Sequence, residues 1–154
     1  MLTANQMIPD FTLDSSEGVP VCSSQYRGKR NLVIAFIGTV PTAAMEWLNA
    51  LAERADDLEE ENARVLVVVQ DTPEQARELR EELGAPFIFL ADCDGEVHRR
   101  YCVISSDGKS QLVLFVTDRY GEIYSVHHAS AGERLPNAAD VIASLRHINI
   151  MCDE

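Results

Sequence analysis

Three unbroken apolar runs divide the chain. Leu32-Val33-Ile34-Ala35-Phe36-Ile37, Val65-Leu66-Val67-Val68-Val69 and Leu112-Val113-Leu114-Phe115-Val116 contain β-branched members and no polar interruption. A strand covered on both faces has that pattern, so the three runs predict the centre of a sheet. Between them the period changes. Ala44, Trp47, Leu48, Leu51, Ala52, Ala55 and Leu58 recur at helical spacing, with Glu46, Asn49, Glu53, Asp56 and Asp57 opposite them. This predicts an amphipathic helix following the turn Gly38-Thr39-Val40-Pro41. A second helix start is written in Thr72-Pro73-Glu74-Gln75, with Thr72 as N-cap, Pro73 at the first helical position and Gln75 closing a capping box. Ala76, Leu79 and Leu83 face inward there, and Gly84 is the expected C-terminal cap.

Shorter elements fill the gaps. Ile8 to Leu13 alternates, Ser15 to Gly18 turns, and Val19 to Cys22 returns as a hairpin partner. Phe87 to Leu90 is a short strand, Asp94-Gly95 a turn, and Glu96 to Tyr101 a short helix. Asp118-Arg119-Tyr120-Gly121 is a tight turn that sends Glu122 to His127 back antiparallel to the third run. Leu135-Pro136 opens a last helix with Ala138, Ile142, Leu145 and Ile148 or Asn149 inside. The acidic run Asp56 to Glu61 reads as a solvated helix end. The order predicts an α/β fold: a mostly parallel central sheet with helices on both faces, in one domain over residues 1–154. In such sheets ligands bind where a strand's carboxyl end meets the next helix, which here is Gly38 to Met45.

Charge and composition narrow the function. The net charge of −12 repels phosphate backbones and acidic lipids, so neither nucleic acid nor an anionic membrane is an expected partner. No apolar run approaches the roughly 20 residues that span a bilayer. The N-terminus lacks a basic region followed by an apolar one, so no secretory signal is expected. The four cysteines, Cys22, Cys93, Cys102 and Cys152, form no CxxC and no zinc spacing, which fits a cytoplasmic protein with reduced thiols.

Several residues carry candidate chemistry. Cys93 and Cys102 flank the short helix after Asp94-Gly95, as a redox pair or a displaced nucleophile; against this, Cys102 suits a buried small hydrophobe and Cys93 a half-exposed turn. Cys152 sits in the tail beside two carboxylates, which make a thiol less acidic. Cys22, in the hairpin, has no evident role. His127 and His128 are adjacent on a strand and point to opposite faces; with His98 and His147 elsewhere, no metal site and no cofactor are expected. Thr39 and Thr42 stand at a helix start, where they either help bind a small anion or simply cap, and capping is favoured.

The order of elements resembles the thioredoxin fold, and local motifs narrow the resemblance. Pro9-Asp10-Phe11-Thr12-Leu13, followed by Tyr26-Arg27-Gly28-Lys29, resembles the opening of peroxiredoxins of the alkyl hydroperoxide reductase and thiol-specific antioxidant family. Leu90-Ala91-Asp92-Cys93-Asp94-Gly95-Glu96-Val97 with Tyr101-Cys102-Val103 resembles that family's β-α insertion, and Phe115 to Ile123 its hairpin. The resemblance runs from about Met7 to Ile148 and implies a thioredoxin-like fold with a peroxiredoxin-type N-terminal hairpin. It also implies a peroxide-reactive cysteine in the first turn of the helix after the central strand. Alignment puts that position at Ala44, or one turn earlier near Pro41, and the only sulfur nearby is the Met45 thioether, which cannot ionise. Just before the third long strand the family carries an Arg, or in thioredoxin-like relatives a cis-Pro, facing the cysteine; here that position is Leu112. The resemblance thus implies a peroxiredoxin-like protein without peroxidase activity, serving in binding or self-association. The alternative is an oxidoreductase acting through Cys93 or Cys102 with a thiol redox partner, and a third reading is a small-molecule site at the Gly38 to Met45 turn. Peroxiredoxins commonly dimerise, so a homodimer is expected, with the apolar stretch Val40 to Ala44 at or near its interface.

Overall fold

The computed structural model of the chain describes residues 2–39, 42–84, 86–101, 112–129 and 135–152. Within these, strands β1 (Thr12–Ser15), β2 (Pro20–Cys22) and β3 (Asn31–Gly38) lead to helices α1 (Thr42–Ala52) and α2 (Ala55–Glu60). Strand β4 (Ala63–Val69), helix α3 (Pro73–Leu83), strand β5 (Ile88–Ala91) and helix α4 (Glu96–Arg100) follow. Strands β6 (Leu112–Thr117) and β7 (Ile123–Ala129) and helix α5 (Ala138–Cys152) complete the order. All the strands join one sheet in the order β2-β1-β5-β4-β3-β6-β7.

The three apolar runs lie together at its centre, as β4, β3 and β6. Val33 pairs with Val65 in parallel and with Val116 in antiparallel register. The parallel part of the sheet is β5-β4-β3; the N-terminal hairpin and the β6–β7 hairpin add antiparallel strands on either side. Alternate residues of the central strands feed two cores. Val33, Ala35, Val67, Leu114 and Val116 pack with Leu48 and Leu51 of α1, Leu58 of α2, Ala76 of α3, and Val141, Ile142, Leu145 and Ile148 of α5. Ile34, Phe36, Leu66, Val68 and Phe115 pack on the other face with Val97 of α4, Tyr101 and the N-terminal residues Ile8, Phe11, Val21 and Tyr26. Helices therefore cover both faces, four on one and α4 on the other. No helix among the described residues is long and apolar enough to cross a membrane.

The local signals hold where side chains cap. Thr72 Oγ1 accepts the Gln75 N–H at 3.3 Å, and Gly84 closes α3 with φ 68°; the expected capping box is not completed, because the Thr72 N–H goes to Asp71 Oδ1 at 2.8 Å instead of to the Gln75 side chain. Other expectations change. The single helix expected through Leu58 breaks at Glu53-Arg54: the Arg54 N–H reaches the Leu51 carbonyl, tightening the last turn of α1, and Leu58 enters the core from α2. The first strand starts at Thr12, not Ile8, because Pro9 has no N–H to give a ladder and its carbonyl is taken by the Tyr101 hydroxyl at 2.6 Å. The acidic run is also less solvated than expected. Glu61 accepts from Arg146 at 3.1 Å and from Asn149 at 3.2 Å, tying α5 to the turn before β4.

Candidate functional site

The sheet brings the sequence candidates to the carboxyl end of β3. Gly38 ends that strand with φ 61°, a left-handed conformation that costs glycine nothing, and its carbonyl accepts the Gln70 N–H at 3.0 Å. Thr39 follows, exposed. Pro41 lies outside the described residues, as does Val40; Thr42 begins α1. Ala44 is inside the core at 1% exposure, in one cluster with Leu48, Leu51 and Leu114. Leu112, at the start of β6, packs against that same cluster. The structure thus joins Ala44 and Leu112 on one face, and both are apolar. No residue from Gly38 to Met45 has an ionisable side chain. The expectation that Ala44 offers apolar surface to a second chain is corrected: α1 turns that methyl into its own core.

Two thiols are described, and both are free. Cys93 is exposed on the turn after β5, with its Sγ 3.1 Å from the Asp71 carbonyl. Desolvation at the turn, and then the carboxylates of Asp71, Asp94 and Asp92, push its pKa above the ordinary thiol value. That is the wrong direction for a relocated nucleophile, which acts as the thiolate. Cys102 lies outside the described residues, and so does the question of its pairing with Cys93. Cys22 behaves oppositely. Its Sγ lies 2.9 Å from Ser24 Oγ. The Ser24 hydroxyl, the hydroxyl of Thr12 directly across the hairpin and the Ser24 backbone lower its pKa. The sequence signal, a Cys at a strand end followed by Ser-Ser and facing a Thr, is legible only once the hairpin register is known.

The most polar buried feature is one that sequence reasoning missed. Asp92 and His98 are buried at 1% and 0% exposure where β5 turns into α4. Gly95 makes the turn possible, since it takes φ 71° and a Cβ there would sit 2.6 Å from the Gln70 side chain. The turn aims two N–H groups at the Asp92 carboxylate, from Val97 at 3.2 Å and His98 at 2.8 Å, and His98 Nδ1 closes on it at 2.7 Å. Desolvation pushes the Asp92 pKa up, but the His98 side chain and the two backbone donors outweigh it and hold the pKa below the usual carboxyl value. The His98 ring meets Phe36 edge-on, with centroids 5.0 Å apart. Its Nε2 has no hydrogen-bond partner among the described residues. This is the orienting half of an acid–base pair. With no nucleophile on Nε2 among the described residues, it serves to cap α4 and fasten it to the sheet.

The remaining histidines separate as expected. His127 pairs with Leu114 and His128 with Val113, on opposite faces. Burial, and then His128, hold the His127 pKa below its usual value, with Asp140 opposing. No group of three or more metal-ligating side chains comes together among the described residues.

Comparisons with known proteins agree on the architecture. The family model of the AhpC/TSA family matches residues 4–126. Comparison with curated protein sequences gives no match. Among solved structures, the peroxidoxin BcpB of Mycobacterium tuberculosis superposes with a TM-score of 0.82 at 21% identity, covering 96% of this chain and 99% of its own. Enterococcus faecalis AhpC gives 0.83 at 22% identity, covering 100% and 96%. The mitochondrial 2-Cys peroxiredoxin of Plasmodium falciparum gives 0.83 at 15% identity, covering 98% and 96%. These likenesses establish a thioredoxin-like peroxiredoxin fold, and with the family match over most of its length the chain belongs to the AhpC/TSA family.

Proposed function

We propose that this member of the family uses the fold as a binding scaffold and carries out no thiol-peroxidase chemistry at the start of α1. One observation supports this above the others: the position that the resemblance aligns with the reactive cysteine is Ala44, which lies in the core, or one turn earlier near Pro41, and the sequence has no cysteine between Cys22 and Cys93. A peroxidase site needs an acidified thiol in a pocket that orients peroxide. Thr39, Pro41, Thr42, Ala44 and Leu112 supply neither a thiol nor a cation. The relocated-thiol reading has little support at Cys93, whose neighbours are carboxylates. A peroxide-consumption assay with a dithiol or thioredoxin donor tests the proposal. No consumption above the donor's own rate is expected; turnover that disappears in Cys93→Ser or Cys102→Ser overturns it.

Self-association belongs to the same proposal, on narrower ground than the sequence gives. With Ala44 inside the core, the proposed contact is the rest of the Val40 to Ala44 stretch, where apolar area removed from water is worth about 25 cal/mol per Å². Sedimentation is expected to show a dimer that Val40→Glu weakens; a monomer at high micromolar concentration removes this part. The absence of any CxxC pair supports a reducing, cytoplasmic setting.

A further inference from the structure

At the opposite pole from Gly38 the chain builds a cleft that the turn after β3 does not reach. Leu32, at the start of β3, pairs with Thr117 at the end of β6, so the Asp118–Gly121 turn stands at the far end of the central strand. Beside it lies an open cleft of about 560 Å³ lined by Asp118, Tyr120, Glu122, Tyr124, Ile148 and Met151, among others. Its walls are held in place. The N-terminal segment is stitched to the start of β7 by Asn5 N–H to the Ile123 carbonyl and Ile123 N–H to the Gln6 carbonyl, both at 2.8 Å. The Asp118 carboxylate accepts the N–H groups of Tyr120 and Glu122, fixing the turn. On the α5 side, the Tyr124 hydroxyl and His147 Nδ1 are 2.8 Å apart, with the rings edge-on.

Exposed large apolar side chains gather here. Among the described residues, Met7, Tyr120 and Met151 are three of the five large hydrophobic side chains left exposed, at 51%, 50% and 48%. Tyr120 and Met151 line the cleft, and Met7 pairs with Glu122 across an isolated bridge, so its side chain borders the same rim. Exposed patches of this kind with a polar rim mark interaction sites, and unbranched methionines adapt to varied partners. Among the described residues the lining carries two carboxylates, Asp118 and Glu122, and no basic side chain. Arg119 lies outside the lining, its guanidinium 5.3 Å from the Tyr120 ring centre. We propose that this cleft docks a basic peptide segment of another protein, with an aliphatic anchor seated against Tyr120, Tyr124 and Met151 and a lysine or arginine facing Asp118 and Glu122. A second copy of this chain fits poorly. A two-fold contact sets the same patch against itself, bringing Asp118 and Glu122 to their own images on a chain of net charge −12. The proposal does not depend on whether the chain reduces peroxides.

The test uses the full chain and a fluorescent amphipathic peptide of leucine and lysine, with a second peptide in which each lysine is glutamate. Fluorescence anisotropy is expected to show binding of the first peptide and not the second, weakening as salt rises. Amide shift mapping is expected to place the contact at Asn5, Asp118–Tyr124 and Ile148–Met151. Met151→Glu and Glu122→Lys change exposed residues, so both should fold as judged by circular dichroism, and each is expected to weaken binding at least about tenfold. Glu78→Lys, an exposed change on α3, is expected to leave it unchanged. Equal binding of both peptides, shifts mapped elsewhere, or affinity indifferent to both cleft variants overturns the proposal. So does self-association that Met151→Glu abolishes without peptide, because the occupant is then a second copy.

Discussion

On one face of β3, the helix start carries Ala44 in a cluster with Leu48 and Leu51, and nothing from Gly38 to Met45 can ionise. On the other face, Phe36 packs against His98, which is buried with Asp92 in a bonded pair. The first region is where α/β sheets bind ligands, and here Ala44 lies in the core. The second has the look of an acid–base pair, and every bond to its carboxylate goes to holding α4. A buried polar group and a reactive site are thus distinguished by what the polar atoms contact. A carboxylate whose partners are two backbone N–H groups and a histidine is structural until a substrate reaches the free nitrogen.

The difference is easiest to break at the polar corner. Asp92→Ala leaves His98 and two N–H groups buried without their acceptor, and loss of one partner of such a pair costs about 3–5 kcal/mol. Chemical denaturation should show it; a loss under 1 kcal/mol, on the order of an exposed pair, means that solvent reaches this corner. The same carboxylate gives a pH signature. Its pKa is lowered in the folded protein. The stability it contributes is therefore fully present above the unfolded value of about 3.9 and lost as pH falls through the lower folded value. Wild-type unfolding should acquire an acid limb in that range, which Asp92→Asn flattens.

A smaller effect is expected at the apolar corner. Ala44→Leu forces extra methylenes into a packed cluster and should cost about 1–3 kcal/mol. If Ala44 instead lined an open substrate pocket, the substitution would be nearly neutral. The smallest effect is kinetic. Hydrogen-bond donors lower the Cys22 pKa, while desolvation and then the nearby carboxylates raise that of Cys93, so Cys22 should alkylate faster at neutral pH. Peptide mapping after brief iodoacetamide treatment measures the order, and faster labelling of Cys93 revives the relocated-thiol reading.

Much of the fold was legible because burial on both faces leaves an unbroken apolar run, as in Leu32 to Ile37, and because Thr72, Pro73 and Gly84 mark helix ends by their own chemistry. The break after Ala52 was not, since the apolar spacing continues through it to Leu58. At the candidate site, the absence of a cysteine near Ala44 is plain in the sequence, but that Ala44 is core is a fact of packing. Asp92 and His98 are six residues apart, a spacing with no helical or strand period, and only the left-handed turn at Gly95 brings them together. The Cys22 surroundings depend likewise on Thr12 standing opposite it across the hairpin.

The central claim is that no thiol of this chain is built to attack peroxide. Dimedone trapping with mass spectrometry tests it residue by residue, after brief exposure of the reduced protein to stoichiometric hydrogen peroxide. The account predicts that Cys22, Cys93, Cys102 and Cys152 acquire sulfenic acid no faster than a free small-molecule thiol of the same acidity. Rapid, near-complete labelling of any one of them would contradict it, and would name the residue that carries the chemistry.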